Sequence, residues 1–220
     1  MKPRDIVTAT NYKRIRIEVG IFGNKHAGAR GFTVIEIITV IAVIGILVSI
    51  VMVLYPGYQK RTRDSERKSD MQQISAALGA YVIQKNNYIG TGSGCGLNGN
   101  GNGWFNVGPS DIAAYPKAIA TCLQEAGTLK SGDFVDPSNC KYDSGGACGS
   151  YQGQPVQAYM KVTCTKSAAP ITYLMTHLET EPRKDTEVDA LCDAGSVSGF
   201  DANSQKWGTN YGMNYYVTAK

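Results

Sequence analysis

Hydrophobic and polar positions are spread very unevenly along this chain. From Ile37 to Tyr55 run 19 residues without a single charge. As a helix rising about 1.5 Å per residue they reach roughly 28 Å, close to the ~30 Å hydrocarbon thickness of a bilayer. Pro56-Gly57 follows and predicts a kink or break. Next comes a mixed-charge collar (Arg61, Arg63, Asp64, Glu66, Arg67, Lys68, Asp70), expected to be a solvated helix face with charge pairs three and four residues apart. From Met71 the pattern turns amphipathic, with Ile74, Leu78, Tyr81 and Val82 on one face, and the helix is expected to end near Asn86-Asn87.

The second half of the chain changes period. Residues 90–108 carry glycine or asparagine at many positions and predict a loop, with Trp104-Phe105 tacking it to a core. Ser110-Asp111 opens a short helical pattern that Pro116 interrupts and Gly127 stops. Gln157–Cys164, Pro170–Leu178 and Gly212–Thr218 alternate and are rich in β-branched and aromatic residues, which predicts strands of a small antiparallel sheet. The expected class is therefore α+β, a long helix whose first half is membrane-spanning and whose second half lies on the sheet.

One residue breaks the apolar pattern. Glu36 stands at the mouth of the uncharged run, where a carboxylate in hydrocarbon costs a few kcal/mol unless paired or neutralised. Two accounts are open: a first-turn acid that suits the helix dipole, or an acid awaiting a partner.

Gly31-Phe32-Thr33-Val34-Ile35-Glu36 and the apolar residues after it, preceded by a basic lead-in ending at Arg30, resemble the class III signal of type IV pilins and type II secretion pseudopilins. The resemblance implies a leader, Met1–Gly31, cut off by a membrane prepilin peptidase, N-methylation of the new terminal Phe32, and an assembly role for Glu36. It divides the chain into leader 1–31, hydrophobic transmembrane and assembly half-helix 32–58, amphipathic half-helix 59–88 and a disulfide-braced head 89–220. Physical reasoning supports the assembly role. Cleavage creates a cationic amine on Phe32, a natural partner for Glu36 of a neighbouring copy, so that stacking subunits removes the carboxylate's desolvation penalty. The resemblance further implies a helical homopolymer, an assembly platform with a cytoplasmic ATPase as partners, and residence in the cytoplasmic membrane before a surface or periplasmic filament forms. A type IV pilin precursor is the leading expectation. The alternatives are a type II secretion pseudopilin, a minor pilin for DNA uptake, and a single-pass anchor carrying an unrelated enzyme or receptor.

Charge and cysteine refine this picture. Residues 1–31 hold seven Lys/Arg against two acids, so the whole-chain net charge of +4 leaves −1 for residues 32–220. The basic pI belongs to the leader and is no nucleic-acid footprint; the mature part holds no basic stripe with interleaved aromatics, so no dedicated nucleic-acid site is expected. A conventional secretory signal fits poorly, because no small-residue cleavage site follows the run. Five Lys/Arg flank it on each side, so the positive-inside rule is a tie. The six cysteines (Cys95, Cys122, Cys140, Cys148, Cys164, Cys192) all lie beyond the run, with no Cys-x-x-Cys, which fits disulfides in an oxidising compartment. Of the 15 pairings, the local set Cys95–Cys122, Cys140–Cys148 and Cys164–Cys192 is preferred.

Catalytic signals are missing from the sequence, and no enzyme is expected. No G-x-S-x-G, H-E-x-x-H or P-loop occurs. Gly94–Gly99 matches G-x-G-x-x-G but follows a helix rather than a strand, which argues against nucleotide binding. His177 reads as a strand histidine. No cofactor is expected; calcium would have Asp185, Glu187, Asp189 and Asp193 as oxygen ligands, while Asp201-x-Asn203-x-Gln205 lacks the rest of a calcium loop.

Overall fold

The computed structural model describes residues 31–130, 134–138, 156–165, 170–193, 195–201, 203 and 205–219. The chain divides into two compact units, Met1–Ser49 and Ile50–Lys220. Helix α1 runs from Val34 to Lys85 without interruption. Pro56 lies inside it and does not break it, so of the kink or break expected there the break is absent. Proline withholds one amide, and the dozens of remaining i to i−4 bonds carry the helix through. Asn86 ends it in the left-handed region at φ 50°, where the expected stop lies.

In the second unit, strands β1 (Gly103–Trp104), β2 (Met160–Cys164), β3 (Ile171–Thr176) and β4 (Tyr215–Ala219) pair antiparallel in chain order. Short helices α2 (Ile119–Glu125), α3 (Asp185–Asp189) and α4 (Trp207–Tyr211) fill the connections. The three predicted strands are present but shorter at their N-terminal ends. The Gly/Asn stretch contributes the unpredicted β1, in which Trp104 opposes Met160.

Two apolar clusters cover the sheet. Met71, Ile74 and Leu78 of α1 pack with Phe105, Ile119, Leu123, Tyr159 and Leu174. Met160, Val162, Met175, Trp104, Trp207 and Tyr211 form the other cluster. Because both faces are covered, β2 is buried along its whole length despite its alternating chemistry. Lys161 and Thr163 are therefore interior residues. The Lys161 ammonium reaches the carbonyls of Ile89 (2.9 Å) and Gly101 (2.6 Å) and the Thr163 hydroxyl (2.9 Å). Burial pushes its pKa down to about 7, while three acceptors matching an ammonium's three donors work in the opposite direction. Gly101 has to be glycine: its φ is +73°, and a Cβ there would collide with the Ile89 carbonyl.

Candidate functional site

The first turn of α1 is built by its own sequence. Thr33 is the N-cap, and its hydroxyl accepts a bond from the Glu36 amide at 3.3 Å. In return, Glu36 Oε2 accepts the Thr33 amide at 2.7 Å and the Thr33 hydroxyl at 2.9 Å. This reciprocal capping box satisfies amides the helix start would otherwise leave open. Oε2 is thereby occupied, whereas Oε1 accepts no bond among the described residues. Glu36 thus caps its own helix while one carboxylate oxygen stays open to a further partner. Gly31 and Phe32 immediately precede the helix in irregular backbone, and Phe32 is 83% exposed.

The apolar run behind this turn is bare on every side. Sixteen large apolar side chains from Val34 to Leu54 are between 44% and 80% exposed. At about 1.5–3 kcal/mol for burying each, covering them is worth several tens of kcal/mol. So large an exposed apolar surface marks an interaction site, for a membrane or for other protein. The helix is long and apolar enough to cross a membrane.

Beyond Tyr58 the structure departs from the expected solvated collar. Arg67 is wholly buried, and all five of its N–H groups are used. Nε and Nη2 grip Asp136 at 2.7 and 2.8 Å, Nη1 reaches Asp64 at 2.8 Å and Glu179 at 3.0 Å, and Nη2 also reaches Gln157 at 2.7 Å. Asp64 accepts four bonds, from Arg67, the amides of Glu179 and Thr180, and the Thr180 hydroxyl. Arg63 clamps Glu179 through two bonds of 2.7 Å. Burial alone would raise the Asp64 and Asp136 pKa values, but these bonds hold both below the usual carboxylate range. Glu179 is held low chiefly by Arg63. Sequence reading expected charge pairs three and four residues apart on a solvated face and missed this buried cluster, because Asp136, Gln157 and Glu179 arrive from far along the chain.

Of the other predicted site residues, Cys95 is bonded to Cys122 and Cys164 to Cys192, with Cα separations of 6.4 and 5.5 Å. The expected Cys140–Cys148 pair lies outside the described residues. The G-x-G-x-x-G stretch is a short 3-10 turn pinned by Cys95. His177 sits just past β3 with Nδ1 2.8 Å from the Gly212 carbonyl, and burial pushes its pKa down. Three of the four acids named for calcium are engaged with protein groups through their side chains. Asp185 pairs with Arg183 at 2.9 Å, Glu187 accepts the Tyr216 hydroxyl at 3.0 Å, and Asp189 accepts the Gly208 amide at 2.7 Å and the Thr209 hydroxyl. Gln205 is buried and bonds Gly195 and Phe200. Among the described residues no group of three or more His, Cys, Asp or Glu is placed to hold a metal.

Two characterised proteins resemble the chain in sequence. The type IV major pilin protein PilA of Myxococcus xanthus is 36% identical over 59 residues, 27% of this chain and 27% of the relative. The type II secretion system core protein G of Pectobacterium carotovorum is 32% identical over 73 residues, 33% of this chain and 47% of the relative. The chain thus spans between about a quarter and a half of the length of these relatives. No protein-family model matches it, and no solved structure does.

Proposed function

We propose that the chain, which resembles type IV pilins and type II secretion pseudopilins over part of its length, is the precursor of a type IV pilus subunit. Pilins and pseudopilins are structural subunits rather than enzymes. In this reading a prepilin peptidase cuts after Gly31, Phe32 becomes the methylated N-terminus, and the subunit waits in the cytoplasmic membrane. It then polymerises through α1 into a surface filament, driven by an assembly platform and its ATPase. The observation that carries the reading is the arrangement at the start of α1. A Gly31–Phe32 bond in exposed, irregular backbone directly precedes a capped Glu36 and a fully bare apolar run.

The mechanism follows from the open Glu36 oxygen. In hydrocarbon, the carboxylate is partly satisfied by Thr33 and lacks a counter-ion. The cleaved amine of a neighbouring Phe32 supplies that counter-ion, while the packed helices cover the apolar side chains. Both gains appear only on assembly, which couples leaving the bilayer to joining the filament. Mass spectrometry of the N-terminus of the native protein tests the cleavage, the expected start being methylated Phe32. A Glu36→Ala chain is expected to be cleaved yet to form no filaments; normal filaments from it would refute the pairing. A second reading, a type II secretion pseudopilin building a short periplasmic filament, is favoured by the likeness to core protein G. Abundance of the chain in sheared surface filaments separates the two.

A further inference from the structure

The five basic residues after the apolar run are chemically unequal. Arg63 is taken by Glu179, Arg67 by Asp136, Asp64 and Glu179, and Lys68 lies 3.5 Å from Glu181. Lys60 and Arg61 are exposed and make no ion pair among the described residues. On the helix they follow two exposed tyrosines, Tyr55 (55%) and Tyr58 (70%). At about 100° per residue, Tyr55, Tyr58 and Arg61 step around the helix about 60° apart and Lys60 lies about 100° beyond Arg61, so aromatic and cationic groups ring much of the helix. Measured from Tyr55, where the uncharged run ends, Lys60 and Arg61 lie about 7–9 Å further along the axis. The headgroup layer on each side of the hydrocarbon is roughly 5–8 Å deep, so these side chains reach it. Tyrosine at that depth, with cations just beyond, is the pattern of an interfacial anchor.

We propose that Tyr55, Tyr58, Lys60 and Arg61 form a collar that docks on anionic phospholipid headgroups of the leaflet next to the second unit. The collar sets the depth at which the unassembled subunit rides. It rests on the membrane-spanning reading given above. The head-side cations are committed to the fold, and only the two nearest the run are left for lipid.

The test uses the full-length chain reconstituted in phosphatidylcholine vesicles containing phosphatidylglycerol, with spin-labelled forms of both lipids. Electron spin resonance reads the preference of the protein boundary for one lipid over the other. At about fivefold per neutralising cation, Lys60→Gln/Arg61→Gln is expected to lower the preference for phosphatidylglycerol several-fold. The leader's cations are common to both proteins, so the difference isolates the collar. Both substitutions are on exposed side chains, and unchanged tryptophan fluorescence checks the fold. Equal preference in the two proteins overturns the proposal. So does a variant whose only change is weaker self-association in pure phosphatidylcholine, which would assign the collar to contacts between copies. Flotation separates the two levels: a chain that does not float with vesicles refutes the membrane span, whereas one that floats without lipid preference refutes the collar alone.

Discussion

Replacing Arg67 with methionine gives the sharpest test of how the later turns of α1 are fastened within the second unit. The substitution keeps an unbranched side chain of useful volume and removes five hydrogen bonds and the central positive charge. The consequences differ among its partners. Glu179 retains both bonds from Arg63, and Asp64 retains three of its four donors. Asp136 is worst placed: it is 3% exposed and, among the described residues, keeps only the amide and hydroxyl of Ser138. Removing one partner of a buried ion pair costs about 3–5 kcal/mol because a charge is left uncompensated, whereas a surface pair yields about 0–1. Since Asp136 dominates, Arg67→Met is expected in the 3–5 kcal/mol range, and Arg67→Met/Asp136→Leu is expected to recover about 2 kcal/mol by removing the stranded carboxylate.

Urea unfolding of the full chain in detergent micelles measures this. Its two tryptophans, Trp104 and Trp207, are both buried in the second unit, so their fluorescence follows that unit while detergent covers the apolar run. A loss below about 1 kcal/mol for Arg67→Met would place the cluster with ordinary surface pairs and refute the reasoning. So would a double variant as unstable as the sum of the singles.

Three further outcomes follow from the same interior. Lys161→Met leaves two carbonyls and a hydroxyl without their donor, and is expected to cost about 2–4 kcal/mol in the same assay; a loss under 1 would mean those oxygens find other partners. Acidification should weaken the second unit: Asp64, Asp136 and Glu179 have folded pKa values below their unfolded ones, so their contribution is complete above about pH 4 and is lost as pH falls through the depressed values. Asp70, whose pKa is raised mainly by burial, opposes this, so Asp70→Asn should steepen the decline between pH 5 and 3; rising stability over that interval contradicts the cluster's role. Removing the Cys164–Cys192 bridge as a double serine variant opens a link between residues 28 apart and is expected to cost about 3–4 kcal/mol, read from the urea midpoint.

What the sequence made legible is what local chemistry decides. The apolar run, the end of α1 at Asn86 and the stop of α2 before Gly127 all follow from residues within a few positions of one another. The Thr33–Glu36 cap is equally local, a threonine and a glutamate three apart, although the sequence alone presents Glu36 only as a first-turn acid or one awaiting a partner. The misses share one cause. β1 is two residues of a glycine-rich loop that become a strand only because Met160 and Lys161 lie beside them. Lys161 looks like the polar side of an alternating strand until α1 is laid over that side. Pro56 looks like a helix break until the bonds on either side of it are counted.

The collar shows the same division within a single helix. Sequence presents Lys60, Arg61, Arg63, Arg67 and Lys68 as one basic group, and by charge alone they are interchangeable. Position relative to the fold separates them. Arg67 lies one turn before Met71, the first residue of α1 in the apolar cluster under the sheet, so it enters the interior and must bring acids with it. Lys60 lies nearly two turns earlier, before that packing begins, and its charge stays free. The boundary between the part of α1 that is covered by its own chain and the part that must be covered by something else therefore falls between Arg61 and Arg63. On one side of it, charges hold the second unit together; on the other, they are available to whatever surrounds the apolar run.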